Sequence, residues 1–266
     1  MAQLGFLYEE NVASSLQKVG WVKPNYVPAG ASSDRPDLDL FVSNREYGCE
    51  LKKDLASAGS LVIHHLGKKK YDFGETDGNK EKEFLKGLGE QAGVMQAIKR
   101  KWKAEPFIQK ERDNKWVARA AASKYKLKER YKYDLKNCPD IYFPLPANTI
   151  SKYYNLKDTH YLNVATHGFY LLGDRDPAKL NKGKRGNDKI PLWDNHHNSV
   201  LRIRIQSKGV TKAAMNEKTK GFPFAGGQGY QITMEIQFKS VSKSPYNIGP
   251  IIGKSADIDE RAIILP

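Results

Sequence analysis

Residues 35–53, RPDLDLFVSNREYGCELKK, put Asp37, Asp39, Glu50 and Lys52 among residues that alternate as in a core-facing hairpin. Leu38, Leu40 and Val42 alternate with Asp37, Asp39 and Phe41. After the turn SNRE, Tyr47, Cys49 and Leu51 alternate with Glu50 and Lys52. Period-two alternation sends the leucines to one face of an antiparallel pair and gathers the three carboxylates and the lysine on the other. The register stays open. A turn at Ser43-Asn44 sets Asp37 opposite Glu50, and a turn centred on Asn44-Arg45 sets Asp39 there. Either one keeps Leu38, Leu40, Cys49 and Leu51 on the apolar side.

Carboxylates gathered this closely raise one another's pKa, and a bound divalent cation relieves the repulsion. Mg²⁺ takes one or two protein carboxylates and keeps positions open for water and phosphate oxygens. A lysine beside it can orient or deprotonate the attacking water, or stabilise charge in the transition state. These parts suit hydrolysis of a phosphodiester. Acid-x-Lys recurs at Asp113–Lys115 and Asp134–Lys136, but within basic, helix-like sequence and without paired strands. The plainer alternative is a solvated hairpin with incidental charges.

Outward from the hairpin, Leu4, Leu7, Tyr8, Val12, Leu16 and Val19 recur at helical spacing, predicting a helix over 3–19. Residues 67–82 read as a polar loop. Phe84, Leu88, Ala92, Met95, Ile98 and Trp102 trace one apolar stripe, predicting a helix over 81–103. Residues 114–136 mix helix-forming alanines with a basic, tyrosine-rich set, and CPDIYFPLPANT reads as a linker. Beyond it HYLNVATHGFYLL, SVLRIRIQSK and YQITMEIQFKS are strand-like, so the expected division is 1–147 and a β-rich 148–266. The paired histidines at 64–65 and 196–197 read as surface or loop residues. FAGGQGYQI lacks the Gly-Lys-Ser/Thr of a phosphate loop.

The 266 residues carry 44 Lys and Arg against 30 Asp and Glu, a net charge of +14, which favours a polyanionic partner. Candidate nucleic-acid contacts are Lys53, Lys99, Arg100, Lys115, Arg119, Lys124, Lys126, Lys128 and Arg130. Cys49 and Cys138 lie far apart without metal-type spacing, which suits a reduced chain. No apolar run is long enough to span a membrane, and the first residues carry acids where a signal peptide carries a positive flank. The expected location is cytoplasmic.

Pro36-Asp37 followed by Glu50-Leu51-Lys52 across a hairpin resembles the signature of the PD-(D/E)XK nuclease superfamily. Gly5, Glu9, Val12 and Leu16 match the helix that precedes the hairpin in Holliday-junction resolvases and related members. The resemblance covers about residues 4–103. It implies a restriction-endonuclease-like α/β core: an N-terminal helix, a central mixed sheet with the catalytic hairpin, and flanking helices, here with a β-rich C-terminal elaboration. Asp37 and Glu50 would hold Mg²⁺ or Mn²⁺, with Asp39 and the Leu51 carbonyl as further ligands. Lys52 and Glu9 would serve catalysis, and Gln91, with Gln96 in reserve, is the best match to a site glutamine on the next helix. The implied activity is a metal-dependent DNA endonuclease acting on duplex or branched DNA. An exonuclease of the same superfamily and a non-catalytic binding module remain alternatives. A homodimer is the matching expectation, since cutting two strands usually needs two active sites.

Overall fold

A computed structural model describes residues 2–26, 35–110, 116–118, 127–173, 175–193, 197–208 and 229–248. In chain order the elements are α1 (Ala2–Lys18), β1 (Leu38–Val42), β2 (Arg45–Lys52), β3 (Ser57–Gly67), β4 (Lys70–Phe73), α2 (Lys80–Gln91) and α3 (Val94–Lys101). They continue with β5 (Ile108–Lys110), β6 (Trp116–Ala118), α4 (Leu127–Asn137), β7 (Ile141–Pro144), α5 (Thr149–Asn155), β8 (Thr159–Val164), β9 (Gly168–Leu171), β10 (His197–Lys208) and β11 (Gly229–Val241). The chain is a mixed α/β protein in two compact units. Unit 1 comprises Met1–Ala56, Leu145–Ser199 and Phe238–Pro266, and unit 2 comprises Ser57–Pro144 and Val200–Gln237. A single division near residue 147 therefore does not describe the packing. The chain leaves unit 1 at residue 56 and returns at 145, because strands far apart in sequence pair.

Unit 1 holds a four-stranded sheet in the order β1-β2-β8-β9. The β1–β2 pair is antiparallel, with Leu38 opposite Cys49 and Val42 opposite Arg45. Ser43 and Asn44 thus form a two-residue turn, both with positive φ (50° and 62°), the left-handed geometry that matches the twist of the strands it joins. The register is the one that sets Asp37 across from Glu50. β2 pairs with β8 in parallel, with Glu50 beside Leu162 and Lys52 beside Val164, and β9 then returns antiparallel. Tyr8, Val12 and Leu16 of α1 lie one turn apart and pack on Leu38, Leu40, Cys49, Leu51, Tyr161 and Phe169. Each large side chain so buried contributes about 2 kcal/mol. Leu7 and Val19, expected in the same stripe, are 52% and 44% exposed and lie outside it.

Unit 2 holds a five-stranded sheet, β4-β3-β11-β10-β7, and the small β5–β6 pair. The expected loop at 67–82 contains β4, which folds back on β3 around Lys68 and Lys69, both at positive φ. The expected helix over 81–103 breaks at Gly93, whose φ of 66° ends α2 and starts α3. The break rotates the inward face onto Leu85, Gly89, Val94, Ala97 and Ile98, leaving Phe84, Leu88 and Met95 half-buried. In the expected helical stretch 114–136, residues 116–118 are strand and Leu127–Asn137 form α4. The expected linker supplies β7, which pairs with β10.

His64 and His65 are buried on β3 rather than at the surface; His65 faces the Ile108 carbonyl at 2.7 Å and Glu105 at 2.8 Å through its two ring nitrogens. Asp134, the acid of the third acid-x-Lys copy, is wholly buried. It accepts from the Phe107 and Ile108 amides at 2.7 and 3.2 Å and from the Tyr230 hydroxyl at 2.7 Å, an anchoring role. Cys49 and Cys138 are both buried, and among the described residues no helix is long and apolar enough to cross a membrane.

Candidate active site

The hairpin brings Asp37, Glu50 and Lys52 together in unit 1. Asp37 lies just before β1, and its Oδ2 accepts the Leu51 amide at 2.9 Å, which ties the start of the hairpin to its second strand. Tyr26 holds the same residue from behind, its hydroxyl donating to the Asp37 carbonyl at 3.0 Å. Gly48 allows the close approach: a Cβ there would meet the Asp158 carbonyl oxygen at 2.5 Å and Pro36 at 3.0 Å. Lys52 donates to Glu50 Oε1 at 2.5 Å and its Nζ lies 4.0 Å from Asp37 Oδ2. Glu50 is only 2% exposed, although it belongs to the face that alternation marks as polar.

Charges in this setting act on one another strongly because little water screens them. Burial pushes Asp37 up to about 6, with Glu50 adding to the rise and Lys52, the Leu51 amide and Lys157 opposing it. For Lys52 burial works against the charge, but Glu50 and Asp37 outweigh it and hold the ammonium above its ordinary value. Glu9, half-buried on α1, is pushed up to about 7 by burial and then by Asp37; Lys52 pulls it down and Glu50 raises it further. The helix glutamate thus shares the electrostatic neighbourhood of the hairpin triad. Asp39 does not join that group. It stands opposite Gly48, and after burial its neighbours are Glu46, Arg35 and Asp158.

The other expected residues are placed as follows. Gln91 and Gln96 belong to unit 2 and are exposed, the buried positions of α2 and α3 being Glu81, Leu85, Gly89, Val94, Ala97 and Ile98. Lys53 is half-buried beside Lys52, whereas Lys99 and Arg100 are exposed in the last turn of α3 and Lys128 is exposed on α4. Arg130 is 1% exposed and stands beside Tyr230, so it is a core residue of unit 2 and not part of a basic surface. Lys115, Arg119, Lys124 and Lys126 fall outside the described residues.

Sequence reasoning missed Lys157, whose buried Nζ lies 3.6 Å from Glu50 Oε2. It also missed Asn163 of β8, whose amide donates to the Tyr8 hydroxyl at 2.9 Å and fastens α1 to the sheet. Local sequence carries no sign of either. Both reach the hairpin only through the parallel β2–β8 pairing.

Among the described residues no group of three His, Cys, Asp or Glu side chains is arranged to hold a metal ion. The pair Asp37 and Glu50 nevertheless has the chemistry of a hard-cation site. Two oxygen donors face each other, Asp37 is held up in part by Glu50, and buried Glu50 Oε2 accepts no hydrogen bond.

No family model and no curated protein matches the chain. Among solved structures the chain is similar to the HhaI endonuclease in complex with DNA, at 11% identity and a TM-score of 0.40 over 89% of this chain and 92% of that one. A likeness this slight leaves the functional reading to the residues of the site.

Proposed function

We propose that unit 1 carries a metal-dependent phosphodiesterase site of the PD-(D/E)XK kind and that the protein is a DNA endonuclease. The observation that carries this reading is the meeting of Asp37, Glu50 and Lys52 at one buried point of a hairpin, in the register that sets Asp37 against Glu50. Asp37 and Glu50 would hold Mg²⁺ or Mn²⁺, with the Leu51 carbonyl as a further donor; Asp39 is kept for a second role at most, given its separate neighbours. The cation, when bound, supplies Lewis-acid polarisation of the scissile phosphoryl group.

Lys52, kept protonated by its two carboxylates, acts as a charged donor that orients water and stabilises negative charge growing on the phosphate oxygens. Glu9, pushed up to about 7, exchanges a proton with water near neutral pH. The net charge of +14 suits a polyanionic substrate, with Lys53, Lys99, Arg100 and Lys128 as the described candidates for phosphate contacts.

The test is Mg²⁺-dependent cleavage of plasmid, linear and four-way-junction DNA by the wild-type protein beside Glu50→Ala and Lys52→Ala. Each substitution is expected to lower cleavage by about 10³-fold or more, the scale of losing a group that acts in the transition state. Equal cleavage by all three proteins would trace the activity to a contaminant and sink the assignment. Degradation of linear DNA with intact plasmid would identify an exonuclease. Salt-sensitive binding without cleavage of any substrate would identify a binding module.

A further inference from the structure

Lys157 is a charged group of the site that neither the hairpin pattern nor the proposed chemistry uses. It lies in the turn after α5, where its amide donates to the Tyr154 carbonyl at 3.0 Å and its own carbonyl accepts from Thr159 Oγ1 at 3.4 Å. Its side chain is 7% exposed, with Nζ 3.6 Å from Glu50 Oε2 and 5.9 Å from the centre of the Tyr154 ring. Lys52, by contrast, is 19% exposed and reaches Glu50 Oε1 and Asp37 Oδ2. Glu50 therefore has one ammonium at each oxygen, and the two lysines differ in freedom. One is enclosed and pinned through its backbone, and the other borders solvent at the end of β2.

A buried carboxylate left without a counter-charge is strongly disfavoured. If Lys52 were the sole compensation for Glu50, moving it before a cation is seated would strand that charge, and Lys52 would stay locked in place. We propose that Lys157 is a positioning residue that holds Glu50 by Oε2 and keeps it compensated, so that Lys52 is free to exchange its carboxylate for a phosphate oxygen. The inference rests on the metal-dependent reading above and assigns distinct duties to the two lysines: Lys157 stays and Lys52 moves.

Calorimetric titration of Mn²⁺, without DNA, into the wild-type protein, Lys157→Met, Lys157→Gln and Lys157→Arg tests it independently of turnover. Removing the fixed positive charge lowers the repulsion felt by an incoming cation, so the Met and Gln variants are expected to bind Mn²⁺ tighter by about 10-fold or more. The same two variants are expected to cleave more slowly at saturating Mn²⁺. The Arg variant keeps the charge and is expected to match wild-type affinity within about twofold, on the same Coulomb argument. A lysine that merely packs predicts weakened binding in every variant. That result would overturn the inference, as would unchanged affinity in Met and Gln, or tightened binding in Arg. If Met and Gln fail to fold, weakened or tightened binding in the Arg variant still overturns the inference. Wild-type protein that takes up no Mn²⁺ would overturn the metal reading itself, an outcome distinct from the rest.

Discussion

Replacing Asp37 with Asn should stabilise the metal-free protein, and the gain should grow with pH. Asp37 is 13% exposed, and its carboxyl is raised from an ordinary 3.8 to about 6, first by burial and then by Glu50. Between those two values the folded chain keeps a proton that the unfolded chain has released. Stability therefore falls as pH rises through that window. A gap of about two pH units corresponds to about 3 kcal/mol at about 1.4 kcal/mol per unit. Asn cannot ionise, yet its side-chain oxygen can still accept the Leu51 amide, so the variant escapes the loss while keeping the hairpin tie. Urea unfolding in chelator at pH 4 and pH 8 measures this as the difference between wild type and Asp37→Asn. The expected difference is near zero at the lower pH and about 3 kcal/mol in favour of Asn at the higher. A difference independent of pH, or one that favours wild type as pH rises, would refute the reasoning. It would mean that Lys52 and Lys157 already over-compensate the carboxylate.

Gly48→Ala should destabilise unit 1 by about 2 kcal/mol or more, since the new methyl meets the Asp158 carbonyl oxygen at 2.5 Å and a backbone oxygen cannot rotate away. Thermal melting checks this, and a change under about 0.5 kcal/mol would show that the two segments do not approach so closely. Asp134→Ala should cost about 3–5 kcal/mol, because two amides and the Tyr230 hydroxyl lose their shared buried acceptor. Unchanged urea stability in that variant would count against the anchor.

The acidic hairpin was legible because its instructions are local. Alternation at Leu38, Leu40, Cys49 and Leu51 fixed the faces, and a short turn left only two registers to choose between. Which register wins depends on Ser43 and Asn44 both adopting positive φ, which the sequence permits without compelling. The broken helix was harder, because the stripe from Phe84 to Trp102 runs straight through Gly93, and only packing decides that a glycine there turns the chain. Arg130 and His65 misled for a related reason. A basic or imidazole side chain reads as exposed unless its buried partners are known, and those partners lie elsewhere in the chain. Lys157 was out of reach altogether, since nothing in THYLNV names β2 as its parallel neighbour.

That parallel pairing also dictates when the site comes into being. A chain emerging from the ribosome presents the Asp37–Lys52 hairpin first, then makes all of residues 57–144 before β8 and Lys157 appear. Until they do, Glu50 lacks one counter-ion and β2 lacks one of its two neighbours. The acidic centre is thus completed only once β8 follows the whole of residues 57–144, although its signature is complete at Lys52. The nascent protein carries Asp37, Glu50 and Lys52 without Lys157 until the return of the chain sets β8 beside β2.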